Sequence, residues 1–175
     1  ADGKVAGRGV EIAPFEGGGK LVVAEVTADA VPFPSLMRDL GVAKNTIVGW
    51  DLDAVRWSDV RGTFRPLAID GKLHGRTSAF AVYDRGVHDA GKQPMIAFDE
   101  ATLDGRLAIR PDALEFRDTT GRFGQSVLQA PLVSIGFHNE IRIEVARSEL
   151  DLADISPIAG IPWAGKATVD CQLAG

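Results

Sequence analysis

Alternation at period two constrains this chain more than any other feature. In stretch after stretch, apolar residues take every second position and charged or polar residues the positions between. The two sets then leave opposite faces of an extended strand. Leu103, Gly105, Leu107 and Ile109 share one parity, opposed by Asp104, Arg106, Ala108 and Arg110. Leu114 and Phe116 alternate with Glu115 and Arg117, and Val133, Ile135 and Phe137 with Ser134, Gly136 and His138. Ile141, Ile143 and Val145 alternate with Arg142, Glu144 and Ala146. Leu150 and Leu152 continue the pattern, and Val169, Cys171 and Leu173 end it. Wound into a helix, these residues would scatter around the axis. As strands they give sheets with one wet face and one dry face, so the chain is expected to be all-β.

Turn chemistry divides the runs. Pro111-Asp112 suits a type I turn, with Pro presetting φ, and Asp118-Thr119-Thr120-Gly121 reads as the next turn. His138-Asn139-Glu140 joins Val133–Phe137 to Ile141–Val145; Gly17-Gly18-Gly19 precedes Lys20–Val26; Asp70-Gly71 separates Leu67–Ile69 from Lys72–Gly75. Roughly 13 strands of ~5–6 residues would use most of the chain. The 20 glycines follow no three-residue period, which excludes collagen. Two places break the alternation. Pro32–Gly41, with cap-like Ser35, apolar positions 36, 37 and 40 and Gly41 as a stop, predicts a short helix. Asp154–Pro162 predicts one further turn, with Pro157 at its first helical position. Asp84–Pro94 reads as a loop. No linker divides the 175 residues, which are expected to form one β-rich module, 1–175. The opening Ala1-Asp2-Gly3 lacks Met and a signal pattern, so the chain is expected to be processed or excised from a longer one.

Composition removes several functions. Acids outnumber bases 24 to 19 with no basic run, so no nucleic-acid partner is expected. No stretch approaches the ~18 apolar residues of a membrane-spanning helix. Three scattered histidines and one cysteine are a poor donor set for zinc, and Cys171 has no partner for an internal disulfide. Gly160–Ala167 nearly spells a phosphate loop, but Ala167 replaces the required hydroxyl, Pro162 removes a cradling N–H, and a strand follows where a helix should. It reads as a turn, with Trp163 sealing an edge. Asp51 and Asp53 have the spacing of paired carboxylates, yet alternation puts them on the wet face. Gly121-Arg122-Phe123-Gly124 reads as a hairpin turn, and Trp50 and Trp57 as core or groove-lip residues. Neither Ser126 nor Ser134 has a nucleophile's sequence context, and His74, His88 and His138 lie apart. No catalytic, cofactor-binding or metal-binding residue is assigned, and no enzyme is expected.

The dry faces need a cover: a second sheet, closure into a barrel, or a ligand. Their residues are chiefly Leu, Ile, Val and Ala, which alternation alone reads first as ordinary β-core and second as a bed for acyl chains. Three segments narrow the choice. These are Val60-Arg61-Gly62-Thr63-Phe64-Arg65-Pro66-Leu67-Ala68-Ile69-Asp70-Gly71-Lys72-Leu73, the paired runs Leu103–Ile109 and Leu114–Asp118, and Leu150-Asp151-Leu152-Ala153-Asp154-Ile155-Ser156-Pro157-Ile158 followed by Gly165–Val169 and Leu173-Ala174-Gly175. Their turn-and-strand grammar resembles that of the AsmA-like superfamily of bacterial envelope proteins, in particular its TamB-like translocation and assembly modules. The likeness covers residues 60–175 well and the first third loosely.

What the resemblance implies is a β-taco: a curled, largely antiparallel sheet forming an open half-pipe, with one or two short helices. A closed β-sandwich, as in a structural or adhesive repeat of a surface protein, is the alternative. The resemblance further implies a module in the periplasm or cell envelope of a Gram-negative bacterium, part of a larger membrane-anchored repeat protein. Its implied partners are phospholipid acyl chains moving between the inner and outer membranes, an outer-membrane barrel-assembly protein, and neighbours paired along the sheet edges. On this reading the groove is lined by Leu107, Ile109, Leu114, Phe116, Val133, Ile135, Phe137, Ile141, Ile143 and Val145. Leu36 and Met37 of the short helix would plug one end. About 13 strands would make a trough on the order of 60 Å long.

Overall fold

In the computed structural model, residues 3–13, 18–39, 48–82, 96–137, 140–159 and 161–175 are described. The chain runs through β1 (Lys4–Ala13), β2 (Lys20–Pro32), α1 (Phe33–Asp39), β3 (Val48–Phe64), β4 (Leu67–Val82), β5 (Ile96–Ile109), β6 (Ala113–Phe123), β7 (Ser126–Gly136), β8 (Ile141–Asp151), α2 (Leu152–Ala159) and β9 (Lys166–Ala174). The strands form one nine-stranded sheet in chain order, every neighbouring pair antiparallel. β1 and β9 are its two unpaired edges, so the sheet is open and the two-sheet sandwich is not formed.

The strands are fewer and longer than turn chemistry predicts, reaching 17 residues in β3. Nine of them at ~4.8 Å spacing give a sheet about 38 Å wide along its curve, shorter than the expected trough. Two expected turns lie inside strands. Asp70-Gly71 sits within β4, and Asp118–Gly121 within β6, where Asp118 adopts a φ of 48° at a break in the β5–β6 register. The turn expected at Gly121–Gly124 falls later, at Gly124-Gln125. The hairpin at Pro111-Asp112 forms as expected. β7 and β8 also pair as expected, with Ile135 opposite Ile141 and Val133 opposite Ile143. The tip at His138-Asn139 and the Asp84–Pro94 loop lie outside the described residues.

Interruptions within the strands curl the sheet. Gly9, Ala30, Asp59, Ala79 and Asp118 lie inside strands with φ between 48° and 63°. The β3–β4 register shifts between Gly49 and Asp51, Leu52 and Ala54, and Ser58 and Arg61. Each bulge bends its strand and increases the local twist. The curl is visible in the core. A single buried cluster joins Ala28 and Val31 of β2, Phe33 of α1, Leu52 of β3, Leu73 of β4 and Leu114 and Phe116 of β6. In a flat sheet β2 and β6 would stand about 19 Å apart, out of reach of any side-chain contact. A second cluster, Leu21, Val23, Val60 and Ile69, fills the other end of β2–β4.

The outer face is wet and carries cross-strand ion pairs. Glu25 lies 2.9 Å from Arg8 and 3.0 Å from Arg56, spanning β1–β3. Lys72 meets Asp59 at 2.8 Å, Arg106 meets Asp70 at 2.9 Å, and His74 pairs with Asp104. Most of these partners are well exposed, so water and salt screen each pair. They set register and keep this face in water more than they stabilise it.

α2 is pinned to the β6–β7 hairpin. Asp151 caps it, accepting the Ala153 N–H at 2.9 Å. This cap starts the helix at Leu152, earlier than expected, and leaves Pro157 in its interior. Asp154 Oδ2 accepts the Gln125 N–H at 2.8 Å and the Ser126 hydroxyl at 2.7 Å. In β8, the register break between Val145 and Ser148 is mended by the buried Ser148 hydroxyl, which accepts the Gln129 N–H and donates to the Ala146 carbonyl, both at 2.8 Å.

Candidate functional site

The concave face is not filled. Between β2–β4 on one side and β5–β6 on the other lies an apolar cleft of about 250 Å³. Its walls are Val26 and Ala28 of β2, Leu52, Val55 and Trp57 of β3, Leu73, Gly75 and Thr77 of β4, Leu103, Leu107 and Ile109 of β5, and Leu114 and Phe116 of β6. Phe33 and Leu36 of α1 close one end. Val5, half exposed on edge strand β1, also lines the cleft, so this side opens to solvent.

Local register explains why these residues meet. On β4, Leu73, Gly75 and Thr77 point inward while Lys72, His74 and Arg76 are exposed. Trp57 sits opposite Leu73, and its indole leans across β4 to donate to the Leu107 carbonyl of β5 at 3.2 Å. This crossing requires Gly71. A Cβ there would lie 2.7 Å from the Ser58 carbonyl oxygen and 2.8 Å from the indole nitrogen. Gly75 answers a similar constraint, since a Cβ would stand 2.8 Å from Val55 Cγ2 and 3.0 Å from Val55 Cα.

One wall residue is polar. Thr77 is 2% exposed, its hydroxyl is sealed off from the cleft, and among the described residues it finds no hydrogen-bond partner. The row Val31–Leu52–Thr77 is the last buried row that β2 shares with β3 and β4 before it runs into α1; β3 and β4 continue past it with Gly49 opposite Ala81, both buried.

Of the expected groove residues, Leu107, Ile109, Leu114 and Phe116 line the cleft. Val133, Ile135, Phe137 and Ile141 instead pack against the core cluster beside it. Ile143 and Val145 lie farther along the same face; Val145 is buried and Ile143 half-buried. Leu36 is among the residues lining the cleft, whereas the Met37 side chain is not among those described. Most of the wall from β2–β4 escapes period-two reading, although Thr77 shares the alternation of Lys72–Arg76. Trp57 lines the cleft, Asp53 faces the other way and accepts from Ser78 at 3.1 Å, and Trp163 is exposed where it was expected to seal an edge. Ser126 is engaged with Asp154 and has no histidine partner among the described residues. Cys171 is exposed, and among the described residues no three metal-ligating side chains converge. No family model, curated protein or solved structure matches the chain.

Proposed function

We propose that this chain is a non-catalytic acyl-chain-binding module, in which the concave face of the sheet holds the hydrocarbon tail of a phospholipid. The observation that supports this most directly is the cleft itself. It is lined almost wholly by aliphatic and aromatic side chains, has a half-exposed lip at Val5, and is capped at one end by α1. An apolar cavity of ~150 Å³ already stays dry and binds benzene, so a larger one of the same chemistry favours hydrocarbon over water. Burying about ten methylenes at ~0.8 kcal/mol each amounts to a gross gain of about 8 kcal/mol, before ordering costs are subtracted. No bond need be made or broken.

The AsmA-like resemblance supplies the setting for this reading: a periplasmic or envelope module of a Gram-negative bacterium, carrying lipid between membranes or assisting assembly of outer-membrane proteins. The two open edges suit such a module. β1 exposes Val5, Val10 and Ile12 and β9 exposes Leu173, so either edge can accept a further strand from a neighbour or partner.

The test uses Trp57 as the reporter. With Trp50 and Trp163 replaced by Phe, titration with dibromostearate should quench the remaining indole saturably, because bromine in the cleft would contact it. A folded protein whose Trp57 emission is unaffected would overturn the proposal.

A further inference from the structure

We infer that the tip Ile161-Pro162-Trp163 is a membrane-docking element, which seats its apolar side chains in the interfacial layer of a lipid bilayer. The inference goes beyond the acyl-binding reading and does not depend on it. Trp163 is 42% exposed and Ile161 51%, and among the described residues no other aromatic ring stands so far out in water. The tip is fastened. The Trp163 N–H donates to the Ser156 hydroxyl at 2.7 Å and to the Ile161 carbonyl at 2.9 Å. The same hydroxyl lies 3.0 Å from the Trp163 and Leu152 carbonyl oxygens and can donate to either. Beyond the tip, the Gly165 carbonyl accepts the Leu152 N–H at 2.8 Å. α2, which carries these anchors, is itself held to the β6–β7 hairpin through Asp154. The indole is therefore presented on a backbone with little ordering left to lose on docking.

The chemistry of the tip suits a bilayer. From Ile155 to Val169 the only charged residue is Lys166, in a chain where a quarter of all residues are charged. No carboxylate has to be desolvated when the tip enters lipid. The carboxylates just before this run are engaged by the protein: Asp151 accepts the Ala153 N–H, and Asp154 accepts the Gln125 N–H and the Ser126 hydroxyl. Lys166, exposed at the start of β9, can stay at the level of the lipid phosphates, where a cation is favoured. Tryptophan prefers the same depth, with the body of its ring in the apolar layer and its N–H toward the headgroups. Position relates the tip to the cleft. Followed through successive strand pairings, the row of Pro32 in β2 reaches β9 near Thr168. α1 and the tip therefore leave the sheet at the same strand ends, and docking there turns the α1 end of the cleft toward the bilayer.

The experiment follows co-flotation of the full chain with vesicles of phosphatidylcholine and phosphatidylglycerol, at lipid concentrations up to the millimolar range. The wild-type protein should float with the vesicles. Trp163→Ser and Ile161→Ser, with circular dichroism confirming the fold, should each weaken partitioning about 10-fold, the affinity equivalent of returning a partly buried large apolar side chain to water. With Trp50 and Trp57 replaced by Phe, Trp163 emission should shift to the blue on vesicles and be quenched by lipid brominated near the carbonyl end of its tails. Wild-type protein that stays free of the vesicles would overturn the proposal. So would undiminished flotation of Trp163→Ser, or flotation with Trp163 emission unchanged, since either places the contact elsewhere. Self-association without lipid that Trp163→Ser abolishes would assign the tip to a protein contact, and overturn it as well. None of these outcomes touches the cleft reading, which dibromostearate quenching of Trp57 tests separately.

Discussion

Gly71→Ala is a single-methyl perturbation aimed at the device that shapes the cleft. The added Cβ would sit 2.7 Å from the Ser58 carbonyl oxygen, 2.8 Å from Trp57 Nε1 and 3.0 Å from Val60 Cγ2. Real Cβ atoms do not tolerate the first two distances, so either β3 moves off β4 or the indole swings away. Overpacking of this kind costs ~1–3 kcal/mol, and losing the Trp57–Leu107 hydrogen bond costs ~1 kcal/mol more. The expected destabilisation is about 3 kcal/mol, or a fall in Tm of about 6–12 °C for a chain of this size. Urea unfolding monitored by circular dichroism measures it. The same substitution in a Trp57→Phe background isolates the indole's share. Phe has no N–H to lose and no atom where Nε1 lies, so Gly71→Ala should cost at least ~1 kcal/mol less there. A cost below ~0.5 kcal/mol in the wild-type background would refute the close-approach argument. An equal cost in both backgrounds would confine the effect to the β3 backbone and remove Trp57 from the explanation.

Two further outcomes follow from groups outside the cleft. Asp154→Ala removes the acceptor for both the Gln125 N–H and the Ser126 hydroxyl, and should cost about 3 kcal/mol, lowering Tm by about 6–12 °C in a thermal melt. The Asp59 carboxyl is held below its ordinary value, first by its hydrogen bond to Lys72 and then by that ammonium's charge. Its favourable interaction is therefore present above the unfolded-state value and is lost as pH falls through the lower folded-state value. In carboxyl-resolved NMR titration, Lys72→Ala should move Asp59 upward toward the usual carboxylate range.

The fold class was legible because alternation survives where strands stay regular. The Leu114–Phe116 stretch of β6, with Leu114 opposite Ile135 and Phe116 opposite Val133 on β7, keeps its parity up to the positive φ of Asp118, past which the inward residues become Thr119, Gly121 and Phe123. So the Pro111-Asp112 turn and the antiparallel β7–β8 pair could be read directly. Upstream the phase resets. In β2 the inward residues run Leu21, Val23, then Val26, Ala28, then Val31, and in β3 Leu52 is followed by Val55, Trp57 and Val60. Each reset is a bulge, and no parity rule carries across it. The overcount of strands has a related cause. Gly and Asp mark turns, but they also serve bulges and close approaches. Asp118 supplies a positive φ inside β6, and Gly71 makes room for an indole inside β4. The wall of the cleft was half hidden for these reasons. Its β5–β6 side lies in the regular region, whereas its β2–β4 side lies among the resets.

Those same bulges connect shape to function. A sheet that only had to be stable would gain by filling its concave face. A fully enclosed void costs ~24 cal/mol per Å³, about 6 kcal/mol for a volume of this size, and an open cleft costs some fraction of that. The chain has aliphatic residues in abundance, yet it places Ala28 and Gly75 in the wall and leaves the space above them empty. Gly75 is forced by the close approach of Val55, but Ala28 is a small residue in a wall that faces open volume. Meanwhile α1 places Phe33 and Leu36 over one end, where they shelter the cleft without occupying its length. Curl supplied by the bulges, an aliphatic wall left short of full packing and a sheltered end act in one direction. Each lowers stability a little or contributes nothing to it, and each is what the proposed hydrocarbon occupant would call for.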